Sequence, residues 1–125
     1  MDRQGRMLLQ RRNDPGYPEA HRKWEFPGGG INFGESPEEA LLRECREELG
    51  CKVRITKLLP RVVSWVFGKG KGKKLQVFLL CYQCTIVRGT PKPHDKDVLE
   101  VRWCTKKEAL TLDILPGNKR FIKMI

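Results

Sequence analysis

GGGINFGESPEEALLRECREELGC, residues 28–51, is the stretch on which the reading of this chain turns. Its first part is loop, because clustered glycines let backbone turn tightly and approach a ligand where side chains would obstruct it. Its second part is a helix with both ends marked. Ser36 stands at the N-cap, Pro37 at the first helical position, and Glu39 three residues after Ser36, which makes a capping box. Gly50 is placed to end the helix. Between them Leu41, Cys45 and Leu49 recur every four residues as an apolar stripe for the core, widened by Leu42.

Beside that stripe lie Glu44, Glu47 and Glu48, whose spacing puts three carboxylates on neighbouring turns of one side of the helix. Like charges this close repel, by roughly a few tenths of a kcal/mol per pair on an exposed helix and by more where water is scarce. An acidic run is ordinarily a solvated face. Here it accompanies a glycine loop, a capped helix and a core stripe, a combination that calls for a neutralising cation. Hard oxygen ligands suit Mg²⁺ or Mn²⁺, which bind a few carboxylates and complete their shells with water and substrate phosphates.

Outward from this stretch the chain alternates strand and helix signals, with no repeat and no long linker. At 125 residues it reads as a single domain, 1–125, with one core. The turn at Asp2–Gly5 precedes a short strand, Arg6–Arg11, and calls for a partner strand before it, so the domain either begins at the turn or lacks its first strand. Residues 13–22 (NDPGYPEAHR) are loop. RVVSWVF and LQVFLLCYQC read as the arms of a hairpin whose tip is GKGKGKK, Gly68–Lys74. No apolar run is long enough to span a bilayer and no signal peptide opens the chain, which predicts a cytoplasmic protein with no membrane partner.

Five cysteines form an odd set without framework spacing, as suits a reducing compartment. Cys81 and Cys84 make a lone CxxC, but in a strand their side chains point to opposite faces, so core thiols are expected rather than metal ligands. The formal charge of +10 attracts anions, whether phosphorylated small molecules or nucleic acid, and does not choose between them.

Gly29, Glu35 and the run Arg43-Glu44-Cys45-Arg46-Glu47-Glu48-Leu49-Gly50-Cys51 resemble the complete Nudix box, with Cys45 and Cys51 at its two apolar positions. LLQRR before it, WEFPGG leading into it and Glu100 to Trp103 (E-x-x-W) after it are also similar to that family. The resemblance implies an α/β fold, an α/β/α sandwich around a mixed sheet. It implies hydrolysis of nucleoside diphosphates linked to another group, with Mg²⁺ or Mn²⁺ as cofactor. Glu44, Glu47 and Glu48 would hold the metal, with the Gly29 carbonyl a further ligand. Arg43 would pair with Glu35 to fix the loop on the helix, and Gly50 would close the motif. Glu44 or Glu100 would take the proton of the attacking water.

For the substrate, the downstream proline of ADP-ribose hydrolases and the tyrosine of dinucleoside polyphosphate hydrolases are both missing. That leaves a MutT-like nucleoside triphosphate pyrophosphohydrolase as the favoured expectation. LPGN, Leu115–Asn118, resembles the loop in which that branch places a base-reading Asn, and an amide can both donate and accept. Phe26 and Arg11 are further substrate-binding candidates, and Trp24, Trp65, Phe67 and Phe78 are aromatics able to stack on a base. The lysines of 68–74 could meet phosphates or an RNA 5′ end, although a solvated loop is the plainer reading. Hydrolysis at an RNA 5′ end, with RNA as partner, hydrolysis of ADP-ribose or a dinucleoside polyphosphate, and a non-hydrolysing nucleotide- or RNA-binding module are the alternatives.

Overall fold

A computed structural model describes residues 1–67 and 74–125, so the lysine-rich tip at 68–73 lies outside the described residues. The elements run β1 (Met7–Arg12), β2 (Trp24–Glu25), α1 (Pro37–Leu49), β3 (Lys52–Leu58), β4 (Val63–Phe67), β5 (Leu75–Leu79), β6 (Tyr82–Arg88), β7 (Val98–Cys104), α2 (Lys106–Ala109) and α3 (Pro116–Met124). The fold is of the expected α/β class. Its described ladders are all antiparallel, in the orders β2-β1-β7, β3-β6 and β4-β5. The parallel pairing among them is a single bridge, Trp24 with Ile114.

Helix α1 starts and stops where its end signals place it. The Ser36 hydroxyl accepts from the Glu39 N–H while the Glu39 carboxylate accepts from the Ser36 N–H, so two otherwise unpaired donors are satisfied. Gly50 ends it in the left-handed region, φ 68°, which glycine enters without the steric cost of a Cβ. The stripe packs as expected: Cys45 and Leu49 are buried with Cys51 and Val53, and Leu41, Leu42, Leu8 and Cys84 lie against them.

Among the described residues the buried apolar side chains group into three clusters. Alternation along β1 explains the first division, since Met7 and Leu9 face Trp24, Cys104, Ala109 and Ile122, whereas Leu8 faces α1. Leu59, Val63 and Phe121 form the third group, and Phe26 packs against both the first and the third.

Two expectations are corrected here. LQVFLLCYQC is not one hairpin arm: β5 ends at Leu79 and pairs with β4, while β6 begins at Tyr82 and pairs with β3. Cys81 falls in the break and packs near Leu59 and Val63, whereas Cys84 packs near Cys45, so the CxxC pair is divided between two clusters. LPGN is not loop either. Pro116 occupies the first helical position of α3, where a missing N–H costs nothing, and Asn118 lies in its first turn.

Candidate active site

The glycine loop is tied to α1 by one side chain. Arg43 Nε and Nη2 donate to the two Glu35 carboxylate oxygens at 2.8 and 3.0 Å, and Nη2 also reaches the Gly30 carbonyl at 2.9 Å. The planar guanidinium matches the carboxylate fork, so the loop is clamped in a fixed geometry. Its remaining nitrogen, Nη1, donates to Glu44 at 2.9 Å and Glu47 at 3.2 Å. The bonds from Arg43 hold the Glu35 carboxyl below its ordinary range, with the Asn32 N–H adding to the effect.

Next to this clamp is a polar cleft of about 300 Å³. Five acidic residues, Glu44, Glu48, Glu25, Asp14 and Asp97, line it together with Gly28, Gly29 and Arg12. A Cβ at Gly29 would fall 2.5 Å from Glu44 Oε1, so only a glycine lets the backbone lie against that carboxylate. Glu48 is 8% exposed. Burial, and then the charge of Glu44, push its carboxyl up to about 8 against the opposing hydrogen bonds from Gly28 N–H and Gln10. Glu25 is also raised by burial, although Arg12 lies 3.1 Å away and favours its charged form.

Of the candidate metal ligands, Glu44, Glu48 and Gly29 therefore meet in the cleft. Glu47 is not among the residues that line it; its side chain is 54% exposed and paired with Arg43. Among the described residues no three His, Cys, Asp or Glu side chains already converge on one point. The oxygen-only donor set, the crowding of like charges around Glu48 and the close approach of Gly29 to Glu44 nonetheless fit a hard divalent cation.

Glu100 does not join them. Its cross-strand partner is Arg11, which reaches it at 3.3 Å, and Arg102 lies 3.8 Å from its other oxygen. The adjacent pair, Gln10 and Val101, points the opposite way: Gln10 donates to Glu48 and Val101 packs on the α1 cluster. With side chains alternating along both strands, Glu100 and Arg11 lie on the sheet face away from α1. Arg102 belongs to that face too, 4.9 Å over the Trp24 ring.

The acidic residue downstream that lines the cleft is Asp97, just before β7. Its loop is fastened at both ends. His94 N donates to the Glu48 carbonyl at 2.9 Å and His94 Nδ1 lies 3.1 Å from that of Glu47, while Asn13 N donates to the Asp97 carbonyl at 2.9 Å. Asp97 was legible only as the last acid of DKD before a strand, and Glu25, Gln10 and Arg12 only as alternate positions of their strands.

A second, larger cleft of about 650 Å³ shares Gly28, Gly29, Glu25 and Arg12 with the first. Phe26, Leu41, Trp65, Tyr82 and Asn118 are among its walls. Asn118 Oδ1 accepts from the Phe26 N–H at 3.0 Å, which fixes the amide and leaves its Nδ2 to donate elsewhere. Phe78 is largely exposed, and the Phe67 side chain lies outside the described residues.

The glycine loop, clamped by Arg43 to a capped helix and seated on antiparallel sheets, has the form of a Nudix unit. The family model described as the NUDIX domain matches residues 1–125, and the chain belongs to that family. Over 118 residues it is 30% identical to the CTP pyrophosphohydrolase of Escherichia coli (strain K12), covering 94% of this chain and 80% of that one. Over 53 residues it is 53% identical to the RNA pyrophosphohydrolase of a Nitratiruptor species, a match spanning 42% of this chain and only 34% of that protein. Among solved structures, the MutT NUDIX hydrolase from Burkholderia pseudomallei shares the fold, with a TM-score of 0.76 at 23% identity over 100% of this chain and 92% of the other. No described helix is long and apolar enough to cross a membrane.

Proposed function

We propose that the protein hydrolyses a nucleoside triphosphate to the monophosphate and pyrophosphate, in the manner of MutT-like sanitation of nucleotide pools. The observation that carries this reading is the junction of the two clefts at Gly28 and Gly29, an acidic one beside an apolar one of about 650 Å³. A base and sugar fit the second, within the size range of small-molecule sites, when the phosphates reach the first.

Glu44, Glu47 and Glu48, with the Gly29 carbonyl, would hold Mg²⁺ or Mn²⁺. Held there, such a cation would supply Lewis-acid polarisation of the phosphoryl group and screening of its charge. The chain's own residues do the rest. The Gly28–Gly30 backbone gives the phosphates close approach. Arg43 holds Glu44 in place, and a cleft carboxylate takes the proton of the water that attacks phosphorus as the bond to pyrophosphate breaks. Of the two acceptors that the resemblance implies, Glu44 lines the cleft and Glu100 does not, and Asp97, which also lines it, is the other acceptor this reading offers. In the apolar cleft, Asn118 offers its Nδ2 to an acceptor on the base and Phe26 borders the same space. The similarity to CTP pyrophosphohydrolase supports a triphosphate substrate.

A second reading, hydrolysis of the triphosphate at an RNA 5′ end, is favoured by the 53% identity to an RNA pyrophosphohydrolase and by the net charge of +10. Product analysis separates the two. With Mg²⁺, the wild type and a Glu47→Gln, Glu48→Gln double variant are incubated with purine, oxidised purine and pyrimidine triphosphates, ADP-ribose, dinucleoside polyphosphates and 5′-triphosphate RNA. Pyrophosphate and a monophosphate from a free triphosphate, lost in the variant, support the first reading. Turnover confined to RNA, with binding that weakens steeply as salt rises, supports the second. No turnover on the panel overturns both in favour of a binding module.

A further inference from the structure

Gln10 is fully buried in the middle of β1. Its Nε2 donates to two carboxylates at once, 3.2 Å to Glu48 Oε2 and 3.3 Å to Glu25 Oε2, while its Oε1 has no hydrogen-bond partner. With both carboxyls ionised, as they are when they face a cation, the opposite orientation would set the amide oxygen against acceptors alone, and the orientation that avoids this leaves that oxygen orphaned. A buried acceptor without a donor is destabilising, and such exceptions call for a reason.

The reason is visible in what the bridge does to Glu48. Gly28 N–H donates to Oε1 at 3.1 Å and Gln10 to Oε2, so each oxygen carries one fixed bond and keeps a lone pair for the acidic cleft that the residue lines. Behind the bridge, Arg12 holds Glu25 at 3.1 Å and is itself held by Asp14 at 2.7 Å. Gln10 and Glu25 are also ladder partners on β1 and β2, so the support is anchored in the sheet while Glu48 arrives from α1.

We infer that Gln10 is a positioning residue, whose amide fixes the Glu48 carboxylate from the sheet side so that its free lone pairs are presented to a divalent cation. This rests on the cation site proposed above. A ligand already locked in orientation loses little freedom when the ion binds, and groups that hold metal ligands change affinity when removed.

The test is Mn²⁺ binding without nucleotide, followed by the loss of the free-ion electron paramagnetic resonance signal. The wild type is compared with Gln10→Met, which fills the space without a donor, and Gln10→Asn, which keeps an amide one methylene short. The expected result is native circular dichroism with Mn²⁺ affinity weaker by about tenfold or more, and activity that recovers as Mn²⁺ is raised while substrate KM stays as in the wild type. A merely structural role would lower the melting temperature and leave the affinity of the folded protein unchanged. A folded variant that binds Mn²⁺ within about twofold of the wild type therefore overturns the inference alone. A wild type that binds no Mn²⁺ overturns the cation site and the Gln10 role together.

Discussion

Gly29 and Glu44 lie so close that a Cβ on the glycine would sit 2.5 Å from the carboxylate oxygen. Gly29→Ala must therefore displace Glu44, while the exposed loop position itself tolerates an alanine. The expected outcome is a fall in kcat of about ten- to a hundredfold with a melting temperature near that of the wild type. Equal activity would show that Glu44 is free to move without consequence.

Glu48→Gln should act on stability and activity in opposite directions. With a folded value near 8 against an ordinary 4.5, the wild-type carboxyl opposes folding in full above pH 8, and the penalty fades as pH falls from 8 to 4.5. Glutamine carries no such charge. In chelator at pH 8 the variant should melt higher by about 4 °C or more, the shift that about 1 kcal/mol makes in a domain of this size. The gap should close toward pH 4.5, and hydrolysis should be lower by about two powers of ten or more. Differential scanning fluorimetry across pH, beside a turnover assay, checks both signs.

The Arg43–Glu35 clamp sets an acid limit of the opposite kind. Because Glu35 is held below 4.5, its contribution is fully present above that pH and is lost as pH falls through its folded value. Glu35→Gln should melt lower than the wild type at neutral pH, and the difference should shrink below pH 4.5. Arg43→Lys keeps the charge but not the fork, and is expected to lose activity by about tenfold or more. A lysine variant as active as the wild type would mean that charge alone suffices.

Asp97 lines the acidic cleft, whereas Glu100, which the family resemblance marked as a proton acceptor, is paired with Arg11. Asp97→Asn should lower kcat by about a hundredfold, in the range of a lost general base. Glu100→Gln breaks exposed pairs with Arg11 and Arg102, a change of about 1 kcal/mol or less in stability, and should leave kcat near the wild-type value. The reverse order would place Glu100 at the chemistry after all.

How much of this was legible in the chain depends on the range of the interaction. The cap at Ser36, the stop at Gly50, the apolar stripe and the spacing of Glu44, Glu47 and Glu48 are relations three and four residues apart, and helical geometry alone converts them into positions. The family resemblance rested on that same stretch. The break at Leu80 and Cys81 was not legible, because both sides are equally apolar and only pairing with β3 or β4 tells them apart.

From its sequence alone, then, came the family, the helix that carries the glutamates and the expectation of a cation beside them. Tertiary structure alone decided which other groups face them. Between Arg11 and Arg12 the register of β1 against β7 slips, with Arg11 opposite Glu100 but Arg12 opposite Val98. Beside that slip, the pair Arg11 and Glu100 faces one side of the sheet and the adjacent pair Gln10 and Val101 the other, where Gln10 bonds a glutamate 38 residues away. No local pattern encodes a register, which is settled only when the strands pack.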